Sequence, residues 1–245
     1  MDTRLVTICG KARSDRPIIY YIRPLLDLMS KTDKIIVWSW GYYREVLHAL
    51  NVPSYELEPE AVVREFFDGN LWLTDPGSYF IDPLIIEARE PLLYACWLCK
   101  AYVLRKVFDV APIDGAIWID CAYRVSYRHN HLIDNYISGA PWKIDVERFR
   151  KKVAEWLEEA PLVIASAPIP RDLDTENAHE LRPVTGCFLA VRRDYKDNMF
   201  ALLRSVHHDL VLKRRLGTDE AAWALAFKDV AKTVHWTTWD EALYG

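Results

Sequence analysis

No apolar run in this chain approaches the roughly 18 residues that a membrane-spanning helix requires. The opening stretch, Met1 to Gly10, lacks the apolar core of a signal peptide and reads as a first strand instead. Charge of one sign is not in excess either: 31 basic residues stand against 35 acidic ones, for a net charge of -4. That balance excludes a broadly basic surface, which supplies most nonspecific nucleic-acid affinity, but not a local basic groove. Cysteine is scarce and odd in number, five in 245 residues. A disulfide framework is therefore not expected, and a reducing, cytoplasmic setting is. Neither G-x-G-x-x-G nor a Walker A loop occurs, which removes the two glycine-rich phosphate cradles. No Gly-x-Ser-x-Gly elbow occurs, which removes the usual sign of a serine hydrolase. There is no internal repeat, low-complexity tract or linker.

What is present is apolar substance. Half of the residues are hydrophobic, 51%, and 13% are aromatic, so global disorder is excluded. The length suits one large core. The pattern along the chain alternates strand and helix. Leu5–Cys9 and Ile35–Trp38 read as buried strands, with a helix over Ile18–Met29 between them that Pro24 must kink or restart. Tyr42–Leu50 reads as a short helix and Pro53–Glu58 as an edge segment. Leu92–Phe108 is apolar on nearly every face and predicts a buried helix. Cys96 and Cys99 lie inside it as a C-x-x-C without a second pair, which reads as core rather than redox or zinc chemistry.

Gly115–Ile119 predicts a central strand, and Asp145 predicts a cap for a helix over Val146–Ala160. Strands follow at Leu162–Ala167 and Thr185–Val191, then a long helix capped by Asp194, a helix over Asp219–Phe227 and a strand at Thr233–Trp236. Phe66–Asp82 and Arg124–Trp142 read as long irregular stretches. The whole predicts an α/β fold with a mixed, mostly parallel sheet flanked by helices.

Several residues could carry chemistry. Asp120 ends the run Gly115-Ala116-Ile117-Trp118-Ile119 with a charge. A carboxylate at the carboxyl end of a buried strand lies where open α/β sheets bind ligands, although such an Asp also caps turns. Asp219 and Glu220 open a helix, where acids favour the dipole and where a general base could also sit. Lys11, Arg13 and Arg16, after the first strand, suit phosphate contacts or a solvated loop. Trp38 and Trp40 suit base stacking or core. Tyr123–His131 mixes basic and aromatic residues, which suits phosphate, acceptor or unpaired-base contacts. His129 and His131 form a weak metal pair.

The phrase Trp118-Ile119-Asp120-Cys121-Ala122-Tyr123-Arg124 resembles the GT-A glycosyltransferases, and among them the WlaTC/HtrL-like group. Lys100 on the preceding helix, Thr185-Gly186-Cys187-Phe188 and Asp219-Glu220-Ala221-Ala222-Trp223 agree in order with that group's pattern. The resemblance implies a single GT-A-like, Rossmann-like domain over residues 1–245. Residues 1–120 would form its nucleotide-sugar-binding half and residues 121–245 its acceptor-binding half. It implies transfer of a sugar from a nucleoside diphosphate sugar to a hydroxyl acceptor, aided by Mn²⁺ or Mg²⁺.

The resemblance also implies site residues. The donor would lie against Thr7, Cys9, Arg13 and Trp40 on the first two strands and their loops. It would meet Lys100, Asp120 and Ala122 at the central strand. Asp120 and His235 would hold the ion, and Asp219 or Glu220 would act as base. The acceptor class stays open between a glycan, a lipid-linked group, a protein and a modified base, with DNA the less favoured. One departure stands out: a full Asp-x-Asp needs an acid at position 122, and Ala122 is there. A degenerate nucleotide- or glycan-binding domain and a nucleotidyltransferase are the alternatives.

Overall fold

The computed structural model describes residues 1–9, 19–58, 61–62, 65–66, 91–120, 145–166, 184–212, 219–238 and 241–242. Strands β1 (Thr3–Cys9), β2 (Ile35–Ser39), β3 (Tyr55–Glu56), β4 (Gly115–Ile119), β5 (Leu162–Ser166), β6 (Val184–Arg192) and β7 (Val234–Thr238) form one sheet. Its order is β3-β2-β1-β4-β6-β5-β7. The described α-helices are α1 (Ile19–Met29), α2 (Gly41–Ala49), α3 (Pro91–Val110), α4 (Val146–Glu159), α5 (Lys196–Leu212) and α6 (Asp219–Phe227). The fold is thus α/β with a mixed, mostly parallel sheet between helices, as the alternation predicts.

Direction decides where a ligand can lie. β1 pairs in parallel with β2 and β4, β2 with β3, and β5 with β7. β6 runs antiparallel to both of its neighbours, β4 and β5. Every described strand except β6 therefore points the same way, and the carboxyl ends at Cys9, Ser39, Ile119, Ser166 and Thr238 share one edge. From β1 the chain moves outward to β2 and β3, then returns to the other side of β1 as β4. That reversal is a topological switch point.

Alternation along the strands builds two apolar layers. Val6, Ile36, Trp38, Ala116, Trp118, Ile164 and Leu189 face α3, α5 and α6, together with Val103, Leu104, Leu203 and Trp223. Leu5, Ile117, Ile119, Val163 and Phe188 face the opposite way, onto Leu28 of α1 and onto Phe149, Val153 and Leu157 of α4. A third cluster joins Cys9 and Val37 to Ile22, Leu25, Tyr43 and Leu47. Cys9 and Cys99 are both buried, and neither is in a disulfide. Among the described residues no helix is long and apolar enough to cross a membrane.

Of the kink or restart expected at Pro24, the restart does not occur: α1 is one helix from Ile19 to Met29. The ring removes only the bond to one carbonyl a turn earlier, and buried Ile22, Leu25 and Leu28 hold the helix to the sheet on either side of it. Asp194 does not cap the long helix. It lies in a 3₁₀ turn, Arg193–Tyr195, before α5. Its carboxylate is taken instead by the Arg192 guanidinium, at 2.7 Å from Nε and 2.9 Å from Nη2. Asp145 caps α4 as expected, its Oδ1 accepting from the Arg148 N–H at 3.0 Å.

Gly41 has φ +54, which lets the chain turn from β2 into α2 where a side chain would be strained. Gly115 is constrained by space instead. A Cβ there would lie 2.9 Å from Leu157 Cδ1 and 2.9 Å from Thr3 Cγ2, both on fully buried residues. Gly115→Val is expected to cost about 1–3 kcal/mol through overpacking, read as a lower denaturant midpoint at an unchanged slope.

A polar knot ties α4 to the amino edge of the sheet. Arg150 Nη1 donates to the carbonyl and the hydroxyl of Thr3, at 3.1 and 3.2 Å. Its Nη2 donates to Glu147 at 2.8 Å, and the Thr32 hydroxyl also donates to Glu147. The Arg150 bond, helped by Thr32 and opposed by burial, holds the Glu147 carboxyl below its ordinary value of 4.5. Lys196 does the same for Asp109, and Arg192 for Asp194. Each carboxyl is depressed in the folded state, so its contribution is complete above its unfolded value and is lost as pH falls through the folded one. The melting temperature is therefore expected to fall between about pH 5 and pH 3. Glu147→Gln is expected to flatten that fall in a calorimetric pH series.

Candidate functional site

The carboxyl end of β4 is built by three elements. β4 is buried along its whole length, from Gly115 to Ile119, and delivers half-buried Asp120 to the shared edge beside β1. α3 returns along the face occupied by Trp118 and carries Lys100. The Lys100 ammonium donates to the Gly186 carbonyl on β6 at 2.9 Å. Gly186 lies two residues before Phe188, which pairs with Ile119. Lys100 and Asp120 therefore reach the same end of the same strand.

The ammonium has aromatic walls. It lies 5.7 Å from the Trp118 ring centroid and 5.8 Å from that of Trp223 on α6. Both rings are buried, at 2% and 0% exposure, and both indole nitrogens lack a hydrogen-bond partner. An unpaired buried N–H costs about 1–3 kcal/mol. A cation over a tryptophan face returns about 0.5–2 kcal/mol for each ring. Lys100 is thus held by two rings and one carbonyl rather than trailing in solvent.

Trp223 lies one turn after Asp219, so α6 carries the two candidate bases and one wall of the lysine cage on the same helix. The backbone of Asp219 and Glu220 is at the amino end of α6, and their side chains lie outside the described residues. Arg13, Ala122, His129 and His131 also lie outside them. Trp40 follows β2 at the shared edge, half-buried against the core.

Other expected residues are placed elsewhere. Thr7 and Cys9 are both fully buried. Thr7 sits within β1, and the Cys9 side chain packs among Ile22, Leu25 and Leu47, so neither side chain is presented to a ligand in this arrangement. His235 is not brought to Asp120. Register places His235 opposite Val163, Val163 opposite Ala190, and Ala190 opposite Ile117, three residues short of Asp120. Three strand spacings, about 14 Å, separate β7 from β4. The His235 ring stacks on Trp156 of α4, with centroids 4.7 Å apart and planes at 21°, on the face opposite Lys100. The expected Asp120–His235 ion pocket is therefore not formed by these two residues. Among the described residues no group of three or more His, Cys, Asp or Glu could hold a metal ion.

From the sequence Trp118 carries no role beyond its strand, and its partnership with Trp223 is not visible there. The available signal was a tryptophan two residues before the strand-end acid and another four residues after a helix-opening acid. What it lacked was the pairing of β4 with β6, which brings both rings to one lysine.

No protein-family model matches the chain, and no curated protein matches it. Among solved structures, the bifunctional IspDF of Campylobacter jejuni is similar over 98% of this chain and 50% of its own, at 11% identity and a TM-score of 0.41. The 4-diphosphocytidyl-2C-methyl-D-erythritol synthase of Anaerococcus prevotii DSM 20548 is similar over 98% of this chain and 90% of its own, at 11% identity and a TM-score of 0.39. The chain thus spans about half the length of the first of these. Scores at this level establish neither a family nor an activity.

Proposed function

We propose that this chain is a glycosyltransferase that takes a nucleoside diphosphate sugar and moves the sugar to a hydroxyl acceptor. One observation carries the reading. A fixed cation, Lys100, and a carboxylate, Asp120, share the carboxyl end of the strand at the topological switch point, the place where open α/β sheets bind ligands. The resemblance of residues 118–124 to the GT-A glycosyltransferases supplies the reaction class.

In the proposed reaction an acceptor hydroxyl oxygen bonds to the anomeric carbon. The bond from that carbon to the diphosphate breaks, and the nucleoside diphosphate leaves with its electron pair. Lys100 offsets the charge that gathers on the leaving group, a fixed positive charge aimed where negative charge develops. Asp120 accepts hydrogen bonds from donor hydroxyls. Asp219 or Glu220 takes the acceptor proton if configuration inverts. Arg13, Trp40 and the backbone about Ala122 extend the donor site, and the acceptor is a glycan, lipid-linked group, protein or modified base. For the expected Mn²⁺ or Mg²⁺, Asp120 is the candidate donor at the end of β4, and among the described residues no group of three or more His, Cys, Asp or Glu gathers around it. Asp120 by itself does not make a resident metal site, and no step is assigned to an ion.

The test is a thermal-shift panel of nucleoside diphosphate sugars with and without Mn²⁺ or Mg²⁺, followed by mass spectrometry of products with candidate acceptors. Specific binding adds about 2.7 kcal/mol of stability at a hundredfold excess over Kd. A shift with sugar transfer supports the reading. A shift without transfer favours a non-catalytic binding domain. A response confined to nucleoside triphosphates favours nucleotidyl transfer. No shift with any donor overturns the proposal.

A further inference from the structure

Trp223 is a poor choice if its task is only to fill space. Its indole N–H is buried and unpaired, as is that of Trp118. Phe or Leu would occupy the same layer without stranding a donor. What Trp offers over either is the stronger ring face for a cation, and the Lys100 ammonium lies 5.8 Å from its centroid. Trp118 supplies the second face at 5.7 Å, and Gly186 supplies an acceptor at 2.9 Å. The three contacts come from α6, β4 and β6, so no single element places the lysine.

We propose that Trp223 is a positioning residue that fixes the Lys100 ammonium at the carboxyl end of β4. It joins helix α6 to the anion-facing end of the site without touching the ligand. The proposal rests on the preceding reading only for what Lys100 meets there, a phosphate-type anion. Where Lys100 is held is independent of that reading.

The first measurement uses the ligand-free full chain. Lysines are reductively methylated for graded times and each site is followed by peptide mass spectrometry. Trp223→Leu is expected to raise the Lys100 rate by about fivefold or more, and Trp223→Phe, which keeps an aromatic face, to stay within about twofold of the wild type. Lys152 is the control, because it lies 5.1 Å over the Trp156 ring on the opposite face of the sheet. If Trp223→Leu does not fold, Trp223→Met removes the aromatic face with a flexible, unbranched side chain that adapts to the gap. An unchanged Lys100 rate overturns the proposal, and so does an equal rise at Lys152, which marks general loosening.

The second measurement is titration calorimetry with inorganic pyrophosphate. Trp223→Leu is expected to weaken binding about tenfold, and to add nothing further when Lys100→Met is already present. The same tenfold loss in the Lys100→Met background would mean that Trp223 acts without Lys100, and the proposal fails. If methylation responds as stated while the wild type binds no pyrophosphate, the positioning role stands and the glycosyltransferase reading is the part that fails.

Discussion

Asp120→Asn is expected to lower sugar transfer by about a hundredfold or more while leaving the melting temperature within about 2 °C of the wild type. The change preserves shape and removes one charge. A carboxylate binds donor hydroxyls through charge-assisted hydrogen bonds, roughly twice as strong as neutral ones, and the amide forfeits that strength. The expected loss corresponds to about 2.7 kcal/mol of transition-state stabilisation. A second readout has the opposite sign. Asp120 shares the end of β4 with Lys100, so removing its negative charge is expected to tighten metal-free pyrophosphate binding in calorimetry. A variant that transfers sugar at the wild-type rate would reduce Asp120 to a turn residue. A variant that loses transfer and pyrophosphate binding together would mean that Asp120 holds Lys100 in place.

Arg193→Ala is expected to be among the more damaging single changes to stability, at about 2–4 kcal/mol. Nε of Arg193 donates to the Ile113 carbonyl at 2.7 Å. Nη1 donates to Phe108 at 3.1 Å and Nη2 to Ala111 at 2.8 Å. The guanidinium also covers the Phe108 ring, at 5.2 Å from its centroid. One side chain at the end of β6 therefore closes the last turn of α3 and the connection into β4. Its loss removes a side-chain donor from each of three carbonyls, of which that of Ala111 keeps the bond from the Ile113 N–H at 2.9 Å. The melting temperature is expected to drop by about 5–10 °C in calorimetry. Arg193→Lys is expected to recover less than half, because a single ammonium lacks the planar fork that reaches three carbonyls.

These two residues mark how far the sequence could be read. Asp120 was legible because a charge after five buried residues breaks a local pattern. The same locality served β4, the Asp145 cap of α4, and α6. Arg193 was not legible, because a side chain that binds backbone carbonyls leaves no signature in residue type. His235 was misplaced for a related reason. Its strand was visible, but its neighbours were not: that β7 pairs with β5 at the far edge follows from long-range register, which a single sequence does not display. The Lys100 cage falls between these cases. Its lysine was matched through a resemblance, while its walls depend on α6 and β4 meeting in space. At Pro24 the local pattern allowed a kink or a restart, and burial on both sides of the ring kept the helix from restarting.

The reversed direction of β6 bears on how the chain is made. When β4 leaves the ribosome, β1 can cover one of its sides, but the other waits for Ile119 to meet Phe188 and for Gly115 to meet Arg192. Residues 120–183 must all be synthesised before that partner begins to appear. For those seconds the nascent protein carries an apolar strand with an open hydrogen-bonding side, the kind of edge on which chains join to one another. A ribosome-stalled or truncated product ending near Ser166 is therefore expected to depend on chaperones and to aggregate when released. One extended past Arg192 would have closed that side.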